Sequence, residues 1–269
     1  MALRHRLHVA NFLTASSLQA RHGFFTRQGG VSKGPYASLN CSLSGQDEPA
    51  AVRENRARVA RALGAEPARL VGLHQIHSAL VVTVDQAWAV GEAPRADAMV
   101  TDRPGLALGI ITADCAPVLL ADPTAGVIGA VHAGWRGALG GVLEATIDAM
   151  VVLGARQIQA AVGPCIGQDS YEVGADLRDA VLARAPADAA FFAPGRRDGR
   201  WQFNLPGYCV ARLRASGVSD MAVIAADTFA CADEFFSHRR RTLAGDGPIG
   251  HQISVIALAD ATKSGACPI

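Results

Sequence analysis

The chain has 269 residues, half of them apolar and 18% charged, which allows a sizeable core in one large domain or two small ones. Its 25 lysines and arginines are balanced by 24 aspartates and glutamates. This balance argues against a protein whose main task is to bind nucleic acid or an anionic membrane through a basic surface, and it leaves room for a local anion site.

The cysteines and the N-terminal sequence indicate a reducing compartment. The six cysteines form no C-x-x-C pair and are Cys41, Cys115, Cys165, Cys209, Cys231 and Cys267. A chain of this length and apolar content does not need disulfides, so we expect reduced thiols in a cytoplasmic protein. The first apolar run is short and interrupted, which does not suit a signal peptide, and no apolar window is long enough to span a bilayer.

Short β-branched runs alternate with alanine-rich helical patterns. In chain order they predict a helix at 50–63, strands at 81–84, 106–112, 118–121 and 127–132, a helix at 139–153, a strand at 159–162, helices at 176–184 and 207–215, and strands at 223–226 and 253–258. Residues 188–200 are expected to form an exposed excursion. The pattern favours a single α/β (α+β) domain over residues 1–269 with a mixed β-sheet.

A hairpin is predicted around the turn Asp122-Pro123-Thr124-Ala125, because Asp and Pro suit the first two positions of a type I turn. If the strands pair symmetrically about Pro123 and Thr124, Cys115 lies directly opposite His132 on the same face, with Cβ atoms about 5 Å apart. A slip of one residue would place the two side chains on opposite faces.

A third candidate ligand lies upstream, where His74 and His77 precede a predicted strand. Three His and Cys ligands with an open fourth position describe a catalytic zinc site. The alternative is that Cys115 is a small buried apolar residue and His132 a hydrogen-bonded core histidine, and spacing alone favours this alternative.

The sequence after His132 favours a ligand site more strongly. Residues 133–137 read Ala-Gly-Trp-Arg-Gly and lead into the predicted 139–153 helix. Glycines allow close approach of a ligand to the backbone, and the N–H groups of a helix start together with Arg136 favour an anion such as phosphate. A tight turn with Trp135 packed in the core is the alternative.

Six segments of the chain resemble the YfiH-like laccase-domain family, once called multi-copper polyphenol oxidoreductases. The segments occur in the family's order over nearly the whole chain and are HGFFTRQGGVSKGPYASLN (22–40), HQIHS (74–78), TADCAPVLLAD (112–122), VHAGWRG (131–137), GPCIGQDSYEVG (163–174) and FFSHRR (235–240). The resemblance implies a single α/β domain related to the catalytic domain of cytotoxic necrotizing factor.

The resemblance also implies a zinc-dependent enzyme that phosphorolyses adenosine, inosine, guanosine and methylthioadenosine and that deaminates adenosine. Carried over residue by residue, the metal ligands and catalytic residues are His77, Cys115 and His132, while His74 falls outside the motif. Asp114 could orient a ligand or carry a proton, or it could cap a turn. The expected partners are purine nucleosides and phosphate, with no nucleic acid and no membrane.

Four arginine and asparagine side chains are candidates for substrate binding. Arg136 is expected to hold phosphate, and Asn40 and Arg27 could contact the ribose or base or could instead stabilise a Gly-rich loop. Arg240, with its neighbour Arg239, could bind anions or remain solvated. The chain departs from the family after these residues: Arg241 stands where Asp is expected, and residues 249–251 read Ile-Gly-His in place of Thr-Gly-Arg.

Three other functions remain open. A metal-free hydrolase would use Cys115 as nucleophile and His132 as base, and the family's link to the editing of peptidoglycan precursors suits such a site. A copper-dependent polyphenol oxidase ranks lower, because the chain has eight histidines and no H-x-H pair near Cys115. A binding module without catalysis ranks last.

Overall fold

The computed structural model describes the backbone of residues 2–7 and the whole of residues 10–258; Cys267 therefore lies outside the described residues. The helices are α1 (Pro49–Ala62), α2 (Trp135–Gly140), α3 (Val142–Val152), α4 (Ala175–Arg184), α5 (Leu205–Ala215) and α6 (His238–Leu243). Short 3-10 helices span Gly34–Tyr36, Pro67–Arg69, Gln168–Ser170 and Pro186–Phe191. Among these helices, none is both long and apolar enough to cross a lipid bilayer.

The strands form three sheets. They are β1 (Ala2–Leu7), β2 (Ala10–Ala15), β3 (Arg21–Phe25), β4 (Leu70–Val71), β5 (Val81–Thr83), β6 (Ala98–Thr101), β7 (Ala107–Thr112), β8 (Ala116–Asp122), β9 (Val127–Ala133), β10 (Gln159–Val162), β11 (Glu172–Val173), β12 (Phe192–Pro194), β13 (Trp201–Phe203), β14 (Asp220–Val223) and β15 (Gln252–Ala257). The first sheet has the order β1-β2-β3-β15-β7-β4, the second β14-β10-β8-β9-β6-β5, and the third β11-β13-β12. The first two sheets are mixed, since β4–β7, β5–β6 and β10–β14 pair in parallel within otherwise antiparallel sheets.

The two large sheets pack face to face, and helices cover their outer faces. Leu108 and Ile256 of the first sheet share one apolar cluster with Leu119 and Ile128 of the second. Helix α1 covers the outer face of the first sheet, and α3 and α5 cover the outer face of the second. Strands β8 and β9 are consequently buried on both faces, which explains why their sequences are continuously apolar rather than alternating. The predicted mixed α/β fold is confirmed, whereas the relation to cytotoxic necrotizing factor stays a prediction.

Several predicted boundaries are wrong for local reasons. The predicted 139–153 helix is two helices, because Gly141 adopts a left-handed conformation (φ 93°) between α2 and α3. The strand expected at 223–226 lies instead at Asp220–Val223. The excursion expected at 188–200 contains a 3-10 helix and strand β12, which pairs with β13.

The β8–β9 hairpin forms, but its predicted register is wrong by two residues. His132 lies opposite Pro117, and the loop contains all four residues from Pro123 to Gly126. The longer loop is stabilised by the Asp122 carboxylate, which accepts the backbone N–H groups of Thr124 (3.0 Å) and Ala125 (2.9 Å). A shift of two residues keeps every side chain on its face, so Cys115 and His132 still face the same side.

Candidate metal centre and its cavity

Three side chains that are distant in sequence converge where the β8–β9 hairpin meets the loop before β5. The ligand atoms of His77, Cys115 and His132 all lie within 4.8 Å of one another. The Cys115 Sγ atom is 3.9 Å from His77 Nε2, and the two imidazole rings meet edge to face at 4.8 Å. His74 does not join this group and lines the adjoining cavity instead. The structure thus brings together the three residues predicted as metal ligands and leaves out the fourth candidate.

A buried carboxylate positions two of the three side chains. Asp97, directly before β6, is 0% exposed, and its Oδ1 atom lies 2.8 Å from His132 Nδ1. It also accepts the backbone N–H groups of Ile76, His77 and Ser78 and the hydroxyl of Ser78. These bonds hold the loop in which His77 has a left-handed backbone conformation, φ 60°. One carboxylate therefore orients both imidazoles, which is the usual role of an acidic group behind metal-ligating histidines.

The electrostatics of the group favour an ionised thiol. Burial alone would raise the pKa of Cys115, but the His132 and His77 imidazoles outweigh burial and lower this pKa to about 6. Burial alone would lower the pKa of His132, but the Cys115 thiolate and Asp97 outweigh it and raise this pKa to about 9. Hydrogen bonds from His132 and Ser78 likewise outweigh burial and hold the pKa of Asp97 below its usual range. At neutral pH the metal-free group is a thiolate beside an imidazolium, so metal binding would release the imidazolium proton.

The donor set and the space around it fit a metal ion. One thiolate and two imidazoles are ligands that zinc prefers, and in tetrahedral zinc sites the ligand atoms lie about 3.5 Å apart, slightly closer than here. Gly134 borders the space between these ligands. A Cβ atom added at Gly134 would lie 3.0 Å from Cys115 Sγ and 3.0 Å from His77 Cδ2. The absent side chain therefore preserves the room in which an ion would be held.

Replacing Gly134 with alanine is expected to lower metal affinity about 10- to 100-fold, because the new methyl group pushes the thiolate and the imidazole apart. Competition with a chromogenic chelator measures the affinity. The matched control is Gly140→Ala at the other end of α2, where a Cβ would meet only the Ala79 Cβ at 3.8 Å. Equal affinities in the two variants would contradict this reading of Gly134.

The Asp114 carboxylate is engaged with three donors rather than free in the site. It accepts hydrogen bonds from the hydroxyls of Thr228 (2.6 Å) and Ser237 (2.9 Å) and from the backbone N–H of Arg239 (2.6 Å). Its own backbone is left-handed, with φ 89°. Asp114 therefore connects the loop that carries Cys115 to the start of α6. Its predicted role in orienting a ligand or carrying a proton stays a prediction.

The three ligands open onto a cavity of about 1060 Å³. Arg136 and Arg239 line the wall next to them: the Arg136 guanidinium lies over the Trp135 ring at 4.4 Å, and the Arg239 guanidinium lies over the Tyr171 ring at 5.5 Å. Among the described residues that line the cavity, the one acidic side chain is Asp114, whose oxygens already have donors. The cavity is therefore strongly electropositive within a nearly neutral chain, which favours an anionic ligand.

Three residues predicted to bind substrate do not line this cavity. The Asn40 side chain is buried and bonds to Asp47 and to the backbone N–H groups of Ser42 and His251. The Arg27 guanidinium donates to the carbonyls of Ala37 and Ala232 and lies over the Phe236 ring. The Arg240 guanidinium donates to the carbonyls of Thr228, Phe229 and Phe235. The contacts of all three side chains stabilise loops. For Asn40 and Arg27, stabilisation of a loop was the predicted alternative to substrate binding.

Sequence reasoning missed two residues beside the metal centre and did not separate the two members of an arginine pair. Asp97 was missed, although it stands directly before a fully buried strand, where a carboxylate needs partners. Tyr171 was also missed; burial and the Cys115 charge raise its pKa. Arg239 lines the cavity and Arg240 does not. Which of the two arginines faces the cavity depends on how α6 is oriented, and a run of arginines in the sequence does not show this orientation.

Similar proteins are known along nearly the whole chain. Residues 21–259 match the family model described as multi-copper polyphenol oxidoreductase laccase. The chain is 44% identical over 250 residues to a Deinococcus radiodurans protein named purine nucleoside phosphorylase, covering 91% of this chain and 92% of that one. A Streptomyces griseus protein of the same name is 42% identical over 241 residues, covering 87% and 95%.

Two solved structures have the same fold. YlmD from Geobacillus stearothermophilus superposes with a TM-score of 0.86 at 29% identity and covers 95% of this chain and 98% of its own. A Neisseria meningitidis protein superposes with a TM-score of 0.79 at 36% identity, covering 96% and 99%. Both superpositions cover at least 95% of this chain.

Proposed function

The chain belongs to the multi-copper polyphenol oxidoreductase laccase family, and from this premise we propose that it is a zinc-dependent purine nucleoside phosphorylase. The observation that carries the proposal is the convergence of His77, Cys115 and His132 within 4.8 Å at the floor of an electropositive cavity. The names of the relatives support purine nucleosides and phosphate as substrates.

In the proposed reaction a phosphate oxygen bonds to the ribose C1′ atom while the bond between C1′ and the purine nitrogen breaks. The electron pair leaves with the purine, which takes up a proton, and the sugar becomes ribose 1-phosphate. Arg136 and Arg239 would bind the phosphate, because guanidinium groups match its oxygens and the cavity offers no free carboxylate to repel it. Asp114 would act as a positioning residue, since it fixes the backbone N–H of Arg239 at 2.6 Å.

The metal would be held by His77, Cys115 and His132, and when bound it would supply Lewis-acid polarisation of a substrate oxygen. Thiolate and imidazole ligands favour zinc over a hard cation. Copper remains the lesser alternative. In the part of the chain whose side chains are described, this is the one group of three His, Cys or acidic ligands found, whereas a multi-copper oxidase needs a second cluster.

Adenosine, inosine, guanosine and methylthioadenosine are the proposed substrates, and adenosine deamination is proposed as a second activity; both rest on the family resemblance. A cytoplasmic location is proposed because the cysteines form no disulfide among the described residues. The five described cysteines are free thiols, in keeping with a reducing compartment.

A metal-free cysteine hydrolase is the second candidate, and one observation favours it. Cys115, His132 and Asp97 lie in a row. The Asp97 carboxylate bonds to His132 Nδ1 at 2.8 Å, and the His132 imidazole lies beside the Cys115 thiol, whose pKa is lowered. This is the arrangement of a nucleophile, its base and the group that orients the base. The substrate class proposed for this candidate is an amide in a peptidoglycan precursor.

Purified protein incubated with inosine and phosphate is expected to release hypoxanthine and ribose 1-phosphate, and removal of the metal by a chelator is expected to abolish this release until zinc is restored. Chromatography of the bases and mass spectrometry of the bound metal measure both quantities. Full hypoxanthine release by the metal-free protein would contradict the zinc dependence, and amide cleavage by that protein would favour the hydrolase. Absence of hypoxanthine from protein with stoichiometric zinc would contradict phosphorolysis.

A further inference from the structure

The cavity extends well beyond the metal centre, along helix α1. We call this extension the α1 arm and define it by Cys41, Leu43, Ser44, Arg53, Arg56 and Leu70. Two of these six residues are arginines, and none is acidic. The reaction proposed above uses the other end of the cavity and assigns no role to the α1 arm.

Arg56 is the central residue of the α1 arm because it is a partly buried cation without an acidic partner. Its Nη1 atom is 3.4 Å from the Cys41 carbonyl oxygen, and its Nη2 atom is 3.3 Å from the Leu70 carbonyl oxygen. Both bonds are near the upper limit of hydrogen-bond length, and both acceptors are neutral. Burial lowers the pKa of Arg56, and within the described residues no carboxylate pairs with it. A guanidinium desolvated in this way favours an incoming anion.

Arg53 adds a second cation on the same face of α1. Residues three apart in a helix are neighbours, so Arg53 lies one turn before Arg56. Its side chain is exposed at the mouth of the arm. Two guanidinium groups carry ten N–H donors, of which Arg56 uses two on the Cys41 and Leu70 carbonyls, and up to eight remain for a phosphate group at one opening.

The distance between the two ends of the cavity is bounded by the chain itself. A Cβ atom placed on Gly72 would lie 3.4 Å from Arg56 Nη2, and Gly72 is separated from His77 by the segment Leu73–Ile76. Five residue steps span at most about 18 Å. This segment is held along β7 by Gln75, whose side chain bonds to both backbone groups of Ile111 at 2.8 and 3.0 Å. This bound is compatible with one extended ligand, a nucleoside carrying one or more phosphates, that occupies both ends.

We propose that Arg56 and Arg53 form a second anion subsite, which takes a phosphate group at the opposite end of the cavity from the metal centre. The phosphate is either free orthophosphate or the terminal phosphoryl group of a nucleoside phosphate. In the second case the nucleoside end lies at the metal centre, so this case rests on the proposed function. The first case, free orthophosphate, does not rest on the proposed function.

Calorimetric titration tests the subsite without any turnover. The probes are inorganic phosphate, inosine, and inosine 5′-mono-, di- and triphosphate. The variants are Arg56→Met, Arg56→Lys and Arg53→Ala, with Arg61→Ala as the matched control, because Arg61 is an exposed arginine of the same helix outside the cavity lining. Orthophosphate titrations are made in an Arg136→Met, Arg239→Met background, so that neither arginine beside the metal centre contributes to binding.

The expected result is that Arg56→Met and Arg53→Ala weaken the phosphate probes about tenfold or more, while Arg56→Lys weakens them less and the affinity for inosine is unchanged. Loss confined to orthophosphate identifies a free anion as the occupant, and loss confined to the inosine phosphates identifies a phosphoryl group of the substrate. Because Arg53 is exposed, its variant tests the subsite even if Arg56→Met does not fold. Phosphate affinities equal to those of Arg61→Ala in every folded variant would overturn the subsite. Failure of inosine alone to bind would instead contradict the proposed function.

Discussion

Replacing Cys115 with serine is expected to reduce nucleoside phosphorolysis about a thousandfold or more and to remove stoichiometric zinc from the purified protein. The thiol is the one sulfur ligand of the group, and its pKa is lowered to about 6, so it is ionised at neutral pH and ready to bind a metal. Serine keeps the size but not the charge at this pH. Hypoxanthine release and metal content, measured on the same sample, check the expectation.

Cys231 supplies the control, because it is an exposed cysteine that does not line the cavity. Cys231→Ser is expected to retain both zinc and activity. A Cys115→Ser protein that keeps stoichiometric zinc and loses activity would point to Cys115 as a nucleophile rather than a ligand. One that keeps both would show that Cys115 takes no part in either.

The hairpin illustrates how far local sequence reasoning extends. The turn residues and the apolar runs identify β8, β9 and the shared face of Cys115 and His132. They do not identify the register, because the loop length depends on how the Asp122 carboxylate bonds to its own loop and to the backbone N–H groups of Arg156 (2.6 Å) and Gln157 (2.8 Å). The second pair of contacts is distant in sequence. Cys115 and His132 converge all the same, because a register shift of two residues leaves each side chain on the predicted face of the hairpin.

The arginines illustrate where sequence reasoning ends. A guanidinium can bind a ligand, donate to loop carbonyls or remain in water, and the same residue type serves each purpose here. Arg27 and Arg240 donate to carbonyls of other segments, whereas Arg136 and Arg239 line the cavity. The difference depends on where the tertiary fold places each side chain, since Arg239 lines the cavity and also donates to the Glu172 carbonyl at 2.8 Å. No spacing rule along the chain contains that information.

Replacing Asp97 with asparagine is expected to have the second large effect, because this carboxylate organises both imidazole ligands. The amide keeps one acceptor oxygen and replaces the other with a donor, so the N–H groups of His77 and Ser78, the Ser78 hydroxyl and His132 Nδ1 no longer all have partners. We expect a loss of about 3–5 kcal/mol in the free energy of unfolding and at least a 10- to 100-fold loss of metal affinity. Chemical denaturation and chelator competition measure the two losses separately.

Asp122→Asn separates the contribution of Asp97 to the site from the general cost of altering a buried carboxylate. Asp122 is also buried and accepts several backbone N–H groups, yet it is the last residue of β8, at the end of the strand away from Cys115, and lies outside the cavity lining. Its variant is expected to lose stability without losing metal affinity in the folded protein. Equal loss of metal affinity in both variants would contradict the positioning role of Asp97.

The effect of pH gives an independent check on the same carboxylate. The folded pKa of Asp97 is held below its unfolded value, so its contribution to stability is fully present above the unfolded pKa of about 3.9 and is lost as the pH falls from there toward the folded pKa. The stability difference between the wild type and Asp97→Asn is therefore expected to shrink in acid. It is also expected to shrink as the pH rises from about 6.5 toward the His132 pKa of about 9, because Asp97 helps to raise that pKa. A difference that grows as the pH falls below about 3.9 would mean that the ionised carboxylate does not stabilise the fold.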